Sequence, residues 1–502
     1  MDSQQYVGID LGTVNSCLAY SDGKGNVEVS IGDDGNDITP SVILFTDFGK
    51  VIGRKAIDDA GKYNTTNYIS YFKRQMGTNI TRNIRSVSYT PTEMSAMILT
   101  KLVSDFEKES GTRLDKAVIT VPCDYGDAER SATVDAAKIA GIMEVELLNE
   151  SVAAALSYGM GRGDKTDRTI IVYDLGGGTF DATVLKISDG KFTVLSSEGS
   201  KNLGGRDWDL QLASIMEKKI LDSAGLTSDD IESDSDIRGR MLRDAEKQKE
   251  LLTYQDRAVG NVDIYGKTIT YTVTREELDE STMWLMSQTI DMVGFALRNA
   301  KLEMNQIDEI VLVGGATLMP QVMRELEDAY PSTGIEFFDP EHAVARGAAL
   351  YAESVFGSVK MTVTPVLTKS FGVLAGIDGV ERVCNILFRD VPLPMDSTLM
   401  CRPKRDDQKE LQISVYESLA KTGDDFIDIS NARAVETFTI PMDGKVSRGR
   451  TKIAVRFSAD RDGRLSVSVD CNGKLQKCDM SKDTSMSNRD IIDSRSKMAG
   501  VI

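Results

Sequence analysis

Two short glycine turns, each preceded by an aspartate, carry residue types that could do chemistry. The first lies in VGIDLGTVN at residues 7–15, and the second lies in VYDLGGGTFD at residues 172–181. In each, an apolar run ends in an aspartate, a glycine turn with a threonine follows, and another apolar run resumes. Glycines let the backbone approach a bound group, and successive N–H donors in a tight turn suit a phosphate. The two turns therefore indicate a phosphate-binding site.

The aspartates of these turns, Asp10 and Asp174, indicate a cation. Carboxylates beside a polyphosphate make sense when a hard cation lies between them, and Mg²⁺ held by few carboxylates, water and phosphate oxygens fits. We interpret the pair of turns as a clamp for a Mg-nucleotide. The alternative is a pair of hairpin turns whose aspartates cap the local backbone. The repetition, and a third glycine turn in VGGATLMP at residues 313–320, favour the clamp.

Two common nucleotide-binding motifs are absent from the sequence. A P-loop requires GxxxxGK[ST], and the nearest candidate, Gly266-Lys267-Thr268, has Asn261 where the first glycine should stand. No GxGxxG opens a helix in a βαβ pattern either. The predicted phosphate site is therefore of a different kind.

Length and charge limit the possible classes of protein. A chain of 502 residues is too long for one hydrophobic core, so we expect several domains. Its 59 basic and 77 acidic residues give a net charge of −18, which disfavours nucleic acid and anionic membranes as partners. The start, MDSQQYVGIDLGT, lacks a signal-peptide pattern, and no apolar run is long enough to span a bilayer. We expect a cytoplasmic protein.

Cysteine and histidine usage excludes further kinds of site. The six cysteines form no CxxC pair, and His342 is the only histidine. This excludes a Cys/His zinc site of ordinary spacing and argues against a disulfide framework. Any bound metal should then have oxygen ligands. We expect His342 to be an ordinary surface residue.

The elements that must position the glycine turns follow two patterns. Up to about residue 355, short β-branched runs such as AVITV, IIVYDL and EIVLVGG alternate with helical segments at 92–110 and 281–302. After residue 357 the pattern is all-β, with a clear hairpin in TKIAVRFSADRDGRLSVSVDCNG. The last 22 residues contain five serines and show no strong period, so we expect a weakly ordered tail.

The order of several phrases identifies a resemblance. GIDLGT, AVITVP, DLGGGTFD, LGGRDWD, EKQKELL, VTREEL and AVARGAAL follow one another as they do in DnaK-type seventy-kilodalton heat-shock chaperones of the actin and sugar-kinase superfamily. The chain closely resembles this family over residues 6 to about 355, and more weakly beyond. The resemblance implies an α/β two-lobed actin-like ATPase domain followed by an all-β sandwich that binds substrate, with no helical lid. The implied segments are the ATPase domain at 1–356, the interdomain linker at 357–366, the β-sandwich peptide-binding domain at 367–480 and a short tail at 481–502.

The resemblance also implies roles for single residues. Lys73 of FKRQMG would approach the γ-phosphate and the attacking water, Glu150 and Asp181 would position water and ions, and Asp10 and Asp174 would hold Mg²⁺ through water. The implied catalytic residues are Lys73, Glu150, Asp181, Thr179, Asp10 and Asp174. The implied nucleotide-binding residues are Gly12, Thr13, Val14, Asn15, Gly176, Gly177, Gly178, Thr179, Glu246, Lys249, Thr253, Gly314, Gly315 and Leu318.

The sequence departs from the family pattern at a few positions. Leu318 stands where the family usually has an arginine that stacks on adenine, so we expect weaker ATP binding. Ser151 replaces a proline that takes part in relaying the nucleotide state between domains, and the linker, SVKMTVTPV at 358–366, is more polar and carries Lys360. His342 lies where the family usually has glutamate. We expect the changes at Ser151 and in the linker to affect interdomain coupling.

The function that the resemblance implies is an ATP-dependent chaperone that slowly hydrolyses ATP and binds extended hydrophobic segments of unfolded proteins. ATP or ADP, Mg²⁺ and K⁺ are the implied cofactors. Implied partners are unfolded polypeptides, a J-domain co-chaperone and a nucleotide exchange factor, and we expect a monomer. Two alternatives stay open at this point: a regulatory nucleotide-binding member of the family with weak interdomain coupling, and an actin-fold small-molecule kinase.

Overall fold

The computed structural model describes most of the chain. The described residues are 5–162, 167–225, 227–228, 231, 235–264, 266–359, 361–377, 379–442, 446–471, 473–478 and 486–501. Lys360 of the linker, residues 1–4 of the predicted ATPase domain, and residues 479–485 and 502 at the end of the chain lie outside the described residues. No helix in the described ranges is both long enough and apolar enough to cross a membrane.

The first lobe is built on a mixed sheet with the strand order β11-β10-β1-β2-β3. Its helices are α1 (Arg54–Asp59), α2 (Pro91–Ser110), α3 (Asp127–Ala140) and α4 (Glu150–Arg162). Its strands are β1 (Tyr6–Asp10), β2 (Asn15–Ser21), β3 (Val27–Val29), β4 (Thr39–Pro40), β5 (Ile43–Thr46), β6 (Gly49–Ile52), β7 (Tyr68–Ile69), β8 (Arg82–Ile84), β9 (Val87–Tyr89), β10 (Lys116–Val121) and β11 (Glu144–Asn149).

The second lobe repeats this plan, with the strand order β18-β17-β12-β13-β14-β19. Its helices are α5 (Gly205–Ala224), α6 (Ser235–Tyr254), α7 (Arg275–Ala300) and α8 (Pro320–Ala329), whereas α9 (Ala343–Phe356) follows them in sequence and packs on β1 and β2 of the first lobe. Its strands are β12 (Arg168–Leu175), β13 (Phe180–Ser188), β14 (Lys191–Ser200), β15 (Arg257–Ile264), β16 (Lys267–Thr274), β17 (Glu309–Val313), β18 (Gly334–Phe337) and β19 (Thr362–Thr364), of which β15 and β16 form a separate hairpin.

The two lobes place their glycine turns at equivalent positions. In the first lobe, β1 pairs antiparallel with β2 and parallel with β10. In the second lobe, β12 likewise pairs antiparallel with β13 and parallel with β17. Each glycine turn joins the two strands of the antiparallel hairpin. This confirms the internal repeat predicted from the sequence, and the predicted strands and helices of this part of the chain are also confirmed.

A β-sandwich follows the two lobes. One sheet has the order β24-β21-β20-β23-β25, and the other has the order β22-β26-β27-β28. Alternate residues of the predicted hairpin point into the core, where Phe457 pairs with Val467 and Val455 pairs with Val469. The strands are β20 (Ser370–Ile377), β21 (Val380–Leu387), β22 (Met395–Cys401), β23 (Glu410–Ser418), β24 (Phe426–Ile427), β25 (Ala432–Pro441), β26 (Ile453–Ala459), β27 (Leu465–Cys471) and β28 (Lys474–Cys478).

The sandwich contacts both lobes through buried arginines. Arg389 of the sandwich donates from Nη2 to the carbonyl oxygen of Ser197 at 2.7 Å and pairs with Glu198 at 2.9 Å. Arg130 of the first lobe donates from Nη1 to the carbonyl oxygen of Asp462 at 2.9 Å. Both arginine side chains are almost completely buried. The sandwich and the lobes are thus joined by hydrogen bonds that charged groups donate. Such bonds are stronger than hydrogen bonds between neutral groups.

The prediction of a weakly ordered tail was wrong for residues 486–501. Ser487 and Asp490 form a capping box that begins helix α10 (Asn488–Lys497), because each side chain accepts a hydrogen bond from the backbone N–H of the other. The helix packs on α3 of the first lobe and buries Ile491 and Met498 in the core of that lobe. Local capping and burial of these apolar side chains explain why the segment is ordered.

Candidate functional site

The two glycine loops face each other across a cleft between the lobes. An ideal Cβ on Gly178 would lie 2.3 Å from Cγ2 of Thr13, and one on Gly177 would lie 2.1 Å from Cγ2 of Val14. Since real Cβ atoms do not approach so closely, the two loops can touch in this way only with glycine at these positions. The close packing forms the floor of a cavity of about 1130 Å³.

A buried ion pair lies at this floor. Lys73, in a 3-10 turn at Phe72–Gln75, places Nζ 2.7 Å from Oε1 of Glu150, the first residue of α4. Both side chains are less than a tenth exposed. The hydroxyl of Tyr125 donates to the carbonyl oxygen of Lys73 at 3.1 Å, which fixes the turn. An ammonium with a carboxylate partner is thus held between the loops in an environment of low dielectric constant.

The aspartates of the two loops carry raised pKa values. Burial, followed by repulsion from Glu150, raises the pKa of Asp10 to about 7, although Lys73 and a hydrogen bond from Thr120 oppose the rise. Burial and the nearby carboxylates of Glu150 and Asp181 also raise the pKa of Asp174 far above its usual value. Several buried carboxylates close together repel one another, so their ionised forms require positive charge nearby.

Asp181 lies directly opposite Asp174 in the β12–β13 register, but it sits behind the cleft floor and does not line the cavity. Its carboxylate accepts from the backbone N–H of Cys123 at 2.9 Å, and the Cys123 thiol lies 3.0 Å from its other oxygen. Burial, with repulsion from Asp124 adding to it, raises the pKa of Asp181 to about 7.

The other end of the cavity presents one face of helix α6. Glu246, Lys249 and Thr253 line it, as their helical spacing predicts. Lys249 pairs with Asp209 at 2.7 Å, and burial, followed by repulsion from Asp209, raises the pKa of Glu246 to about 7. Leu318, at the end of the 3-10 turn Gly315–Leu318, provides an apolar wall.

The structure brings the predicted site residues together around one cavity. Gly178 and Asp181 do not line it: Gly178 packs against the first loop, and Asp181 is buried behind the second. The remaining predicted residues line the cavity: Asp10, Gly12, Thr13, Val14, Asn15, Lys73, Glu150, Asp174, Gly176, Gly177, Thr179, Glu246, Lys249, Thr253, Gly314, Gly315 and Leu318. The roles of these residues stay predictions.

Sequence reasoning missed residues that support the loops. Arg74 donates from Nε to the carbonyl oxygen of Gly178 at 2.8 Å and pairs with Asp207 at 2.6 Å. Ser41 donates to the carbonyl oxygen of Gly12 at 2.9 Å and accepts a hydrogen bond from the hydroxyl of Ser16 at 2.8 Å. The signals were weak: Arg74 stands beside the predicted lysine, and Asp207 lies in the LGGRDWD phrase.

His342 is not the ordinary surface residue that we expected. Its Nδ1 lies 3.0 Å from Oδ1 of Asp339 in the second lobe, and its Nε2 lies 3.2 Å from Oδ2 of Asp37 in the first lobe. The hydrogen bond to Asp339 is the largest contribution to the raised pKa of His342. The histidine therefore connects Asp37 of the first lobe with Asp339 of the second lobe.

The cleft has features that fit a phosphate group with a cation. The Oγ1 atom of Thr13 is buried and has no hydrogen-bond partner among the described residues. This hydroxyl of the first loop can therefore donate a hydrogen bond to a bound group. Burial and neighbouring carboxylates raise the pKa values of Asp10 and Asp174, so a nearby cation would stabilise their ionised forms. Within the described ranges, no three histidine, cysteine or acidic side chains converge to hold a metal directly. A cation here would therefore be held in part by water and phosphate oxygens.

The fold and the cleft define a two-lobed nucleotide-binding domain joined to a β-sandwich. Comparison with known proteins gives the family. The Hsp70 protein family model matches residues 6–499. A chaperone protein DnaK from Thermotoga neapolitana is 35% identical over 478 residues, covering 92% of this chain and 78% of that protein. The chaperone protein DnaK from Thermotoga petrophila is 34% identical over the same length and the same shares.

The chain belongs to the Hsp70 family. It is accordingly an ATP-dependent chaperone with an actin-like ATPase domain and a β-sandwich domain for unfolded substrates. The family resemblance that the sequence phrases indicated is confirmed.

Proposed function

We propose that the cleft holds ATP with its phosphates between the two glycine loops, and that Lys73 and Glu150 carry out the hydrolytic step. The buried 2.7 Å ion pair between these two residues, at the floor of the cavity and between both loops, is the observation that carries the proposal. The face of α6 with Glu246, Lys249 and Thr253 contacts the adenosine, and Leu318 covers the base as an aliphatic wall.

Each residue then has a stated task. The ammonium of Lys73 stabilises the negative charge that develops on the transferred phosphoryl group. Glu150 accepts a hydrogen bond from the attacking water and orients it. Mg²⁺, when bound, would further neutralise the phosphate charge, and Asp10 and Asp174 are the residues that would hold it through water. Asp181 and Thr179 fix the second loop and the water beside it. We include K⁺ as a second cation, because several buried carboxylates lie close together at the cleft floor and repel one another.

The substitution Lys73→Ala tests this assignment. We expect ATP binding to be retained, because the loops and the α6 face stay in place, and turnover to fall by at least about 100-fold, because the charge at the phosphoryl group is lost. Isothermal titration calorimetry gives the affinity, and single-turnover phosphate release gives the rate. Lys62→Ala is the matched control, since its side chain is 70% exposed. Unchanged turnover in Lys73→Ala would overturn the assignment.

We also propose that the sandwich holds extended apolar peptide in a groove that no helix of the described residues covers as a lid. Helix α10, which follows the sandwich in sequence, packs on the first lobe, which supports this proposal. A groove without a latch releases peptide quickly, so the expected result in fluorescence anisotropy is a fast off-rate for a labelled apolar peptide. A slow off-rate would contradict it.

We propose the cytoplasm as the place of action, with the monomer as the working form and a J-domain protein and a nucleotide exchange factor as partners. All six cysteines are free, as expected in a reducing compartment.

A further inference from the structure

The segment that follows β10 reaches the hydrolytic residues from behind the cleft. Cys123, Asp124 and Tyr125 are consecutive, and each has a buried polar contact. Tyr125 fixes the backbone of Lys73, and Asp124 accepts from the backbone N–H of Lys201 at 2.9 Å. Cys123 contacts Asp181 twice, once through its backbone and once through its thiol. Of these contacts, the thiol–carboxylate pair has no role yet in the proposed chemistry.

The surroundings of the Asp181 carboxylate leave it little freedom to move. One oxygen accepts from the Cys123 backbone N–H, and the other lies 3.0 Å from the Cys123 sulfur. On the third side, an ideal Cβ on Gly199 would lie 2.1 Å from the same Asp181 oxygen and 2.8 Å from the sulfur. Only glycine fits there, so backbone, thiol and carboxylate are packed in contact. Both Asp181 and Cys123 are 1% exposed.

The thiol is the donor in this contact. Burial, followed by the repulsive charge of Asp181, raises the pKa of the Cys123 thiol well above its usual value, so the proton stays on sulfur at neutral pH. Ser197, whose hydroxyl lies 2.7 Å from that of Thr183, partly opposes this rise. The S–H group lies within hydrogen-bond distance of Asp181 and donates to it, and both contacts from Cys123 favour the ionised carboxylate.

We propose that the Cys123 thiol is a positioning group for ATP hydrolysis, which holds the Asp181 carboxylate in its working orientation. The proposal rests on the role proposed above for Asp181, which fixes the second loop from behind the cleft floor. Cys123 does not line the cavity, so it acts on the rate and not on the binding of nucleotide. A hydroxyl in its place can donate in the same direction, whereas a methyl group cannot.

Single-turnover ATP hydrolysis by the full chain tests the proposal with the variants Cys123→Ala and Cys123→Ser. We expect Cys123→Ala to lower the rate constant about tenfold, the effect of losing one hydrogen bond to a charged group, with the Kd for ATP unchanged. Cys123→Ser should recover the wild-type rate to within about twofold, because it restores the donor. Cys384→Ala removes another buried thiol, in the sandwich, and should leave the rate unchanged.

The outcomes separate the inference from the function on which it rests. A Cys123→Ala variant with the wild-type rate overturns the inference, and so does equal slowing of the alanine and serine variants, which would show a packing effect. A parallel loss of ATP affinity also overturns it. Asp181→Asn is measured beside them: if this variant hydrolyses ATP at the wild-type rate, the proposed role of Asp181 fails, whatever the cysteine variants show.

Discussion

At the scale of single residues, the lobes are joined by a histidine whose charge depends on pH. His342 contacts Asp339 in the second lobe and Asp37 in the first, and Arg346 is the charged neighbour on its own helix. The hydrogen bond to Asp339 outweighs burial and raises the pKa of His342 above 6.5, with Asp37 adding to the rise. The protonated ring therefore binds both carboxylates more strongly than the neutral ring does.

The pH dependence of this bridge can be predicted. Because the folded-state pKa lies above the unfolded value, the stabilisation by His342 is fully present below pH 6.5 and is lost as the pH rises through the folded-state pKa. The difference in melting temperature between the wild type and His342→Gln should therefore be largest at low pH and vanish at high pH. Asp37→Asn should reduce the difference. A difference that does not vary with pH would contradict the prediction.

The sequence was enough to predict which side chains belong to the cleft, but not which residues from distant parts of the chain contact them. Asp10, Lys73 and Asp174 could be predicted because their phrases are distinctive. The thiol of Cys123 could not, because it lies in the turn after β10 and meets Asp181 only through the packing of segments that are distant in sequence. The same holds for His342, whose partner Asp37 stands about 300 residues earlier in the chain.

At the scale of elements, helix α10 is the clearest difference between expectation and structure. Its start did have a local signal, since Ser487 and Asp490 have the spacing of a capping box. Its buried residues Ile491 and Ser494 also lie on one face, but a helix of ten residues is not stable without a surface to pack on. That surface, on α3 and the first-lobe core, is not visible in the local sequence.

Two neighbouring isoleucines test the packing of α10. Ile491 is 7% exposed and Ile492 is 64% exposed. Ile491→Ala should lower the free energy of opening α10 by about 2 kcal/mol, and hence lower amide protection about thirtyfold, because a buried side chain is removed. Hydrogen–deuterium exchange over residues 486–501 measures this effect. Ile492→Ala is the control and should change little; equal effects of both substitutions would show that the helix is not docked.

At the scale of the whole molecule, the sandwich and the lobes meet through charged groups that are buried on docking. The sequence predicted both the lobes and the sandwich, because apolar residues recur with a different period in helices than in strands. They could not show how the parts face each other. Arg389 and Ser197 belong to different parts and become neighbours only after both have folded.

Removing the Arg389 contact should uncouple the two parts. Arg389→Ala leaves the carbonyl oxygen of Ser197 and the carboxylate of Glu198 without this partner, and buried groups of this kind are costly to leave unpaired. We expect basal ATPase activity to be kept and stimulation by an unfolded peptide to fall at least about fivefold. Steady-state phosphate release with and without peptide measures both. Arg382→Ala, at an exposed position of β21, the strand that precedes Arg389, should keep full stimulation. Full stimulation in Arg389→Ala would contradict the prediction.

Strand β19, between the lobes and the sandwich, has a consequence for solubility. It pairs in parallel with residues 191–193 of β14 and forms the last strand of the second-lobe sheet. An unpaired sheet edge is a template on which another chain can add a strand. When β19 is in place, that template is covered at these residues. Withdrawal of β19 would expose residues 191–193 of β14, so the segment that joins the two parts of this chaperone also shortens the stretch of β14 with which another chain could pair.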